Sequence, residues 1–128
     1  MLAGYLYFNA AICLAFAAWC TIRPNETAAA VGFALDTPGA RSEYLVLYGG
    51  LQLGLGVFFA ATATARRRRP AGLLLAVCLW PPVAAYRLAT VATYPELQSI
   101  TYVVAGLEGA LAAAALILAL RRGRRRRR

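Results

Sequence analysis

With 128 residues, 61% hydrophobic content and a formal charge of +9, the chain has room for one domain and little mass beyond a hydrocarbon layer, which excludes a multidomain soluble enzyme. Histidine is absent, so Ser-His-Asp triads, Cys-His pairs and histidine metal sites are excluded as well. All fourteen basic residues are arginine, and eleven fall in two blocks, Arg66 to Arg69 and Arg121 to Arg128. In a soluble protein that balance would point to nucleic acid. Here the blocks flank apolar runs, where orientation and anionic inner-leaflet lipid account for them, and no nucleic-acid partner is expected.

Segments 2–22, 43–65, 70–93 and 97–120 are each about twenty apolar residues long, the length that crosses a core of about 30 Å. The expected fold is all-α, an antiparallel bundle of four transmembrane helices forming one domain over 1–120, followed by a basic cytoplasmic tail, 121–128. Arginine blocks beside membrane ends stay on the cytoplasmic side, so both termini are expected inside. Loops 23–42 and 93–97 then face out. They hold Arg23 and Arg41 against Glu26, Asp36 and Glu96, with no positive excess.

Helix 1 carries Tyr5, Tyr7 and Asn9 toward its inner end and Trp19 toward its outer one, suiting interfacial aromatic belts. No positive charge precedes its apolar run Leu2 to Ile22, which is longer than a signal-peptide core, so it is expected to be retained as a membrane helix. Cys13 and Cys20 are seven apart on one face, about 10 Å along the axis, too far for a disulfide. With Cys78 they read as small buried hydrophobes. Pro24 and Asn25 break the helix. Thr27 to Leu35 then predict a short interfacial helix capped by Asn25, with Val31 and Leu35 turned to lipid, stopped by Asp36, Thr37, Pro38 and Gly39.

Helix 2 opens either with Thr37 as cap before Pro38 or with Ser42 as cap. Its Gly50 and Gly54 form a GxxxG, widened by Gly49 and Gly56, that lets a neighbouring helix, within the chain or from a second copy, approach closely. Pro81 and Pro82 lie mid-helix in segment 70–93 and predict a kink near Trp80, with freed carbonyls around Cys78 in need of partners. Helix 4 starts at Pro95 or Glu96 and carries Gly106, Ala110 and Ala114 as a second small-residue stripe.

Charges inside a bilayer cost about 2.5–3.5 kcal/mol each on insertion scales, so those that remain should face the interior and be paired. Two lie inside the predicted spans. Counting about 1.5 Å per residue from the outer ends places Arg87 roughly 9 Å deep and Glu108 roughly 18 Å deep, with Glu43 near the surface. Arg87 is therefore expected to pair with Glu43 or Glu108, its planar fork fitting a carboxylate in two contacts. Tyr44, Tyr48 and Gln52 recur every four residues as a polar stripe, with Gln52 the natural partner of Glu108. Thr90 and Tyr94 continue the Arg87 face. If these faces converge, a narrow pocket opens outward, floored by Glu108 and suited to a small amphiphile such as a lipid or quinone. Two alternatives stand beside it: a polar clasp that only fixes helix register, and an enzyme with Glu108 as acid or base and Arg87 as anion holder.

The stretch RSEYLVLYGGLQLGLGVFF, Arg41 to Phe59, resembles the signature of a domain-of-unknown-function family of small four-helix bacterial membrane proteins, usually grouped with the DoxX and DoxD-like superfamily. Arg41, Glu43, Tyr48, Gly49, Gly50, Gln52, Gly54 and Gly56 carry the resemblance, and Arg87 and Glu108 match an arginine in helix 3 and an acid in helix 4. The resemblance implies this fold and the bacterial cytoplasmic membrane. It also implies, for some members of the superfamily, subunits of quinone-linked or sulfur-linked oxidoreductases. No cofactor motif accompanies it here, and the cysteines lack metal-ligand or Cys-x-x-Cys spacing. The expected role is a binding or accessory membrane subunit, with no bound cofactor or metal and with a membrane protein or a second copy as a further partner.

Overall fold

The computed structural model describes residues 1–94 and 96–126, with side chains to Arg124. Five helices account for them, and the described residues form no strand. Helix α1 is Leu2–Ile22 and α2 is Pro24–Ala30. A second long helix, Pro38–Thr64, consists of α3 (Pro38–Tyr44), a π-helical stretch Leu45–Leu51 and α4 (Gln52–Thr64). Helix α5 is Arg69–Thr93 and α6 is Ser99–Arg126.

Short connections force the long helices to run antiparallel. After α4 the chain turns at once, Arg68 N donating to Ala65 O at 2.9 Å. This turn, the start of α1 and the end of α6 share one end of the bundle, the arginine end. Helix α2 and the α5–α6 connection share the opposite end. Helix α1 packs along Pro38–Thr64 and α5 along α6, and α5 also meets α1 and α4. At the centre lie Leu6, Ala10 and Cys13 of α1, Phe59 and Ala63 of α4, Ala76 and Trp80 of α5, and Leu111, Ala112 and Ala115 of α6. Small residues dominate because helices in lipid gain little from burying bulk and much from close backbone approach. The bulk points outward instead: Leu51, Val57, Leu74, Val103 and Leu120 are all more than half exposed.

Several expectations need correction. Thr37, not Ser42, caps the second long helix, its Oγ1 accepting from Ala40 N at 3.1 Å with Pro38 in the first turn, so the helix begins five residues before the predicted 43. The glycine contact is not made by Gly50 and Gly54, at which an added Cβ would meet nothing within 4 Å. Gly49 and Gly56 face α1: a Cβ there would lie 2.9 Å from Thr21 Oγ1 and 2.7 Å from Leu14 Cγ, respectively. Positions seven apart lie two turns apart on one helix face, and it is this pair, not the four-apart pair, whose face meets α1. Gly106 also faces open space, while Gly72 of α5 lies against Thr62 of α4.

Helix α2 is shorter than Thr27 to Leu35 and is not capped by Asn25, whose Oδ1 accepts from Arg41 Nη2 at 2.7 Å instead. It ends in a Schellman motif: Gly32, at φ +80, lets Gly32 N and Phe33 N reach Ala29 O and Ala28 O at 3.1 and 2.9 Å. Gly32 stops it, four residues before Asp36. Leu35 then turns inward onto Cys20, Ala28 and Tyr44 rather than to lipid, while Val31 is exposed.

Helix α5 stays helical through Pro81 and Pro82. These prolines deprive the Val77 and Cys78 carbonyls of donors, and among the described residues no side chain takes their place, so the pair builds no polar site. Cys78 is exposed on the outer face, unlike the buried Cys13 and Cys20. Helix α6 starts at Ser99 and continues through the predicted tail to Arg126. The candidate start at Pro95 and the tail positions 127 and 128 lie outside the described residues.

Candidate functional site

Arg87 and Glu108 meet between α5 and α6. Arg87 Nε donates to Glu108 Oε2 at 2.9 Å, and Nη2 donates to Oε1 at 3.1 Å. This parallel fork is the strongest geometry available to the two groups. The depth count separated them by about 9 Å because it started α6 at 97; with the start at Ser99, Glu108 moves about 3 Å nearer the end, and the arginine's reach closes the rest. The Glu108 side chain is 11% exposed and that of Arg87 35%. One edge of the guanidinium is thus free while both carboxylate oxygens are used.

Glu43, the other acid offered to Arg87, is exposed and forms no ion pair among the described residues. Gln52 is half-buried but does not bond Glu108. The π-helical stretch Leu45–Leu51 includes Tyr48 and ends just before Gln52, and of the three stripe members Tyr44 and Tyr48 stay together. Thr90 Oγ1 bonds back to Arg87 O at 2.9 Å, and Tyr94 is exposed.

Tyr44 and Tyr48 do act together. Their rings stack with centroids 4.7 Å apart. Phe33, swung inward by the turn at Gly32, meets Tyr44 and Tyr48 edge-on at 6.3 and 5.9 Å, and Phe16 of α1 meets Tyr48 at 6.3 Å. Tyr44 Oη donates to Thr27 Oγ1 at 2.8 Å, and Thr27 passes its own proton to Arg23 O at 2.9 Å. Tyr48 lies within electrostatic reach of both Arg87 and Glu108. An aromatic quartet thus shares this end of the bundle with the ion pair, roofed by α2. The roof is tied to α3 by Arg41 and Asn25, and it lies against Gln98 of the α5–α6 connection, whose amide nitrogen, once turned toward them, reaches the Ala29 and Ala30 carbonyls. Phe16, Thr27, Phe33 and Gln98 were not singled out in the sequence. Only the aromatic pair carried a signal there, since apolar rings in a membrane helix and loop are indistinguishable from packing.

A second polar group, also missed, lies at the core. Trp80 Nε1 donates to Asn9 Oδ1 at 2.6 Å, Asn9 Nδ2 to Tyr5 O at 2.7 Å, and Tyr5 Oη to Leu111 O at 2.9 Å. Asn9 is completely buried. A buried amide in an apolar helix demands such partners, so Asn9 itself was the signal, and Trp80, 71 residues away, carries a donor-only indole that suits the amide oxygen. Among the described residues no three His, Cys, Asp or Glu side chains come together, so the chemistry of the site rests on one ion pair, two phenols and aromatic faces.

Four helices long and apolar enough to cross a bilayer, with an ion pair enclosed between two of them, define a multi-pass membrane protein of the helix-bundle kind. A family described as a domain of unknown function, DUF4345, matches residues 1–119, and the chain belongs to it. No curated protein and no solved structure matches the chain.

Proposed function

We propose that this protein is a binding or accessory subunit of a bacterial cytoplasmic membrane, with both termini inside, and that its loop-end cluster receives the polar head of a small amphiphile such as a quinone or lipid. The observation that carries the reading is the asymmetry of the ion pair: Glu108 is enclosed and fully used, whereas Arg87 keeps about a third of its side chain exposed, at the end of the bundle that also holds the aromatic quartet. A free guanidinium edge offers donors to a carbonyl or phosphate oxygen, and ring faces suit a flat or apolar body. The wider DoxX and DoxD-like affinity is part of this proposal and rests on the resemblance of the stretch Arg41 to Phe59 alone.

Titration of the purified protein in micelles with a short-chain quinone and, separately, a lysophospholipid tests it. Tyr48→Leu is expected to weaken binding of the preferred probe at least tenfold while leaving the fold intact. Saturable binding by neither probe would overturn the ligand reading. A clasp without ligand is favoured by one observation, that the Arg87 and Glu108 forks satisfy each other. The double exchange Arg87→Glu with Glu108→Arg separates the readings, because a clasp regains its stability and a ligand site does not regain its ligand. Proton transfer by Glu108 would require the fork to open first, which places the enzymatic reading last.

A further inference from the structure

At the arginine end, α5 and α6 leave a groove of about 300 Å³ between them. Leu73, Leu74 and Val77 line one wall, and Ala119, Arg122 and Gly123 line the other. The spacing explains the gap. Residues three and four apart share a helix face, and on α6 that face presents an alanine and a glycine opposite two leucines and a valine. A Cβ added at Gly123 would meet nothing within 4 Å. Leu73 is buried as the floor, and Leu74, 65% exposed, is the outer lip. Among the described residues, the charged residue of the lining is Arg122, at the end nearest Arg121 and Arg124 and the Arg66–Arg69 turn.

We infer that this groove is a site for one anionic phospholipid, its acyl chain along Leu73, Leu74 and Val77 and its phosphate on Arg122. The apolar lining suits the headgroup-proximal part of a hydrocarbon chain, and the cation at its end matches a headgroup phosphate in charge and in fork geometry. The inference rests on the membrane reading above but not on the aromatic cluster at the other end.

The test uses the full chain reconstituted in vesicles of equal phosphatidylglycerol and phosphatidylcholine, then released gently for native mass spectrometry. One retained phosphatidylglycerol per chain is expected. Arg122→Gln should lower the ratio of phosphatidylglycerol to phosphatidylcholine about fivefold. Gly123→Leu, which fills open space without a clash, should abolish retention of both lipids. Arg124→Gln, one position beyond the lining, should leave both unchanged. Equal losses in Arg122→Gln and Arg124→Gln, or full retention in Gly123→Leu, would overturn the site. Release of the wild-type protein from cell membranes by alkaline carbonate would overturn the membrane reading instead, so the two failures are distinguishable.

Discussion

The two buried polar groups of this bundle solve one problem in opposite ways. Asn9, Trp80 and Tyr5 are neutral, every donor ends on an acceptor, and the Asn9 side chain has no contact with the surroundings. Arg87 and Glu108 are charged, also matched, yet open on the arginine side. The neutral chain joins three helices, α1, α5 and α6, at mid-bundle. The charged pair joins only the two helices of one hairpin. Cross-linking of the fold therefore falls to the neutral group, and the charged pair is placed where it can respond to something outside.

Breaking the charged side should have the largest effect. Glu108→Ala strands a guanidinium in a largely apolar setting, and loss of one partner of a buried pair costs about 3–5 kcal/mol. Because Arg87 is a third exposed, about 2–3 kcal/mol is expected, read as reversible unfolding in mixed micelles. Asn9→Leu should follow at about 1–3 kcal/mol, since it orphans the Trp80 donor inside the core. Its signature is a shift in Trp80 fluorescence with Arg87 and Glu108 unaffected, and a shift absent from that spectrum would mean that Trp80 does not rely on Asn9. Gly56→Ala, whose Cβ would lie 2.7 Å from Leu14, should destabilise by about 1–2 kcal/mol through overpacking of α1 on α4. Gly54→Ala, facing open space, should be neutral or up to about 1 kcal/mol more stable from helix propensity alone. Reversal of that order would put Gly50 and Gly54 back on a helix contact.

Most of the fold was legible because its determinants are local. Apolar run length and the arginine blocks located the four long helices without any knowledge of contacts. The partner of Arg87 was legible to within two acids and no further, since the depth of Glu108 depends on where α6 begins, and that boundary lay two residues beyond the 97 used for the count. Glycine faces were misread because Gly50 with Gly54 and Gly49 with Gly56 each share a helix face, and the spacing alone does not say which face meets α1. The Asn9–Trp80 bond was not legible as a pair, although counting about 1.5 Å per residue from the arginine end puts the two at about 10 and 16 Å, close enough for long side chains to meet. The aromatic roof depends on Gly32 turning Phe33 back, a single backbone angle.

The π-helical stretch Leu45–Leu51 has one more consequence. Its surplus residue acts as an index mark between α3 and α4. Winding the stretch as ordinary α-helix with all its residues kept would swing Pro38–Tyr44 by about 100° against Gln52–Thr64. Tyr44 would leave Thr27, Arg41 would leave Asn25, and the roof would lose its seat while the membrane-crossing length barely changed.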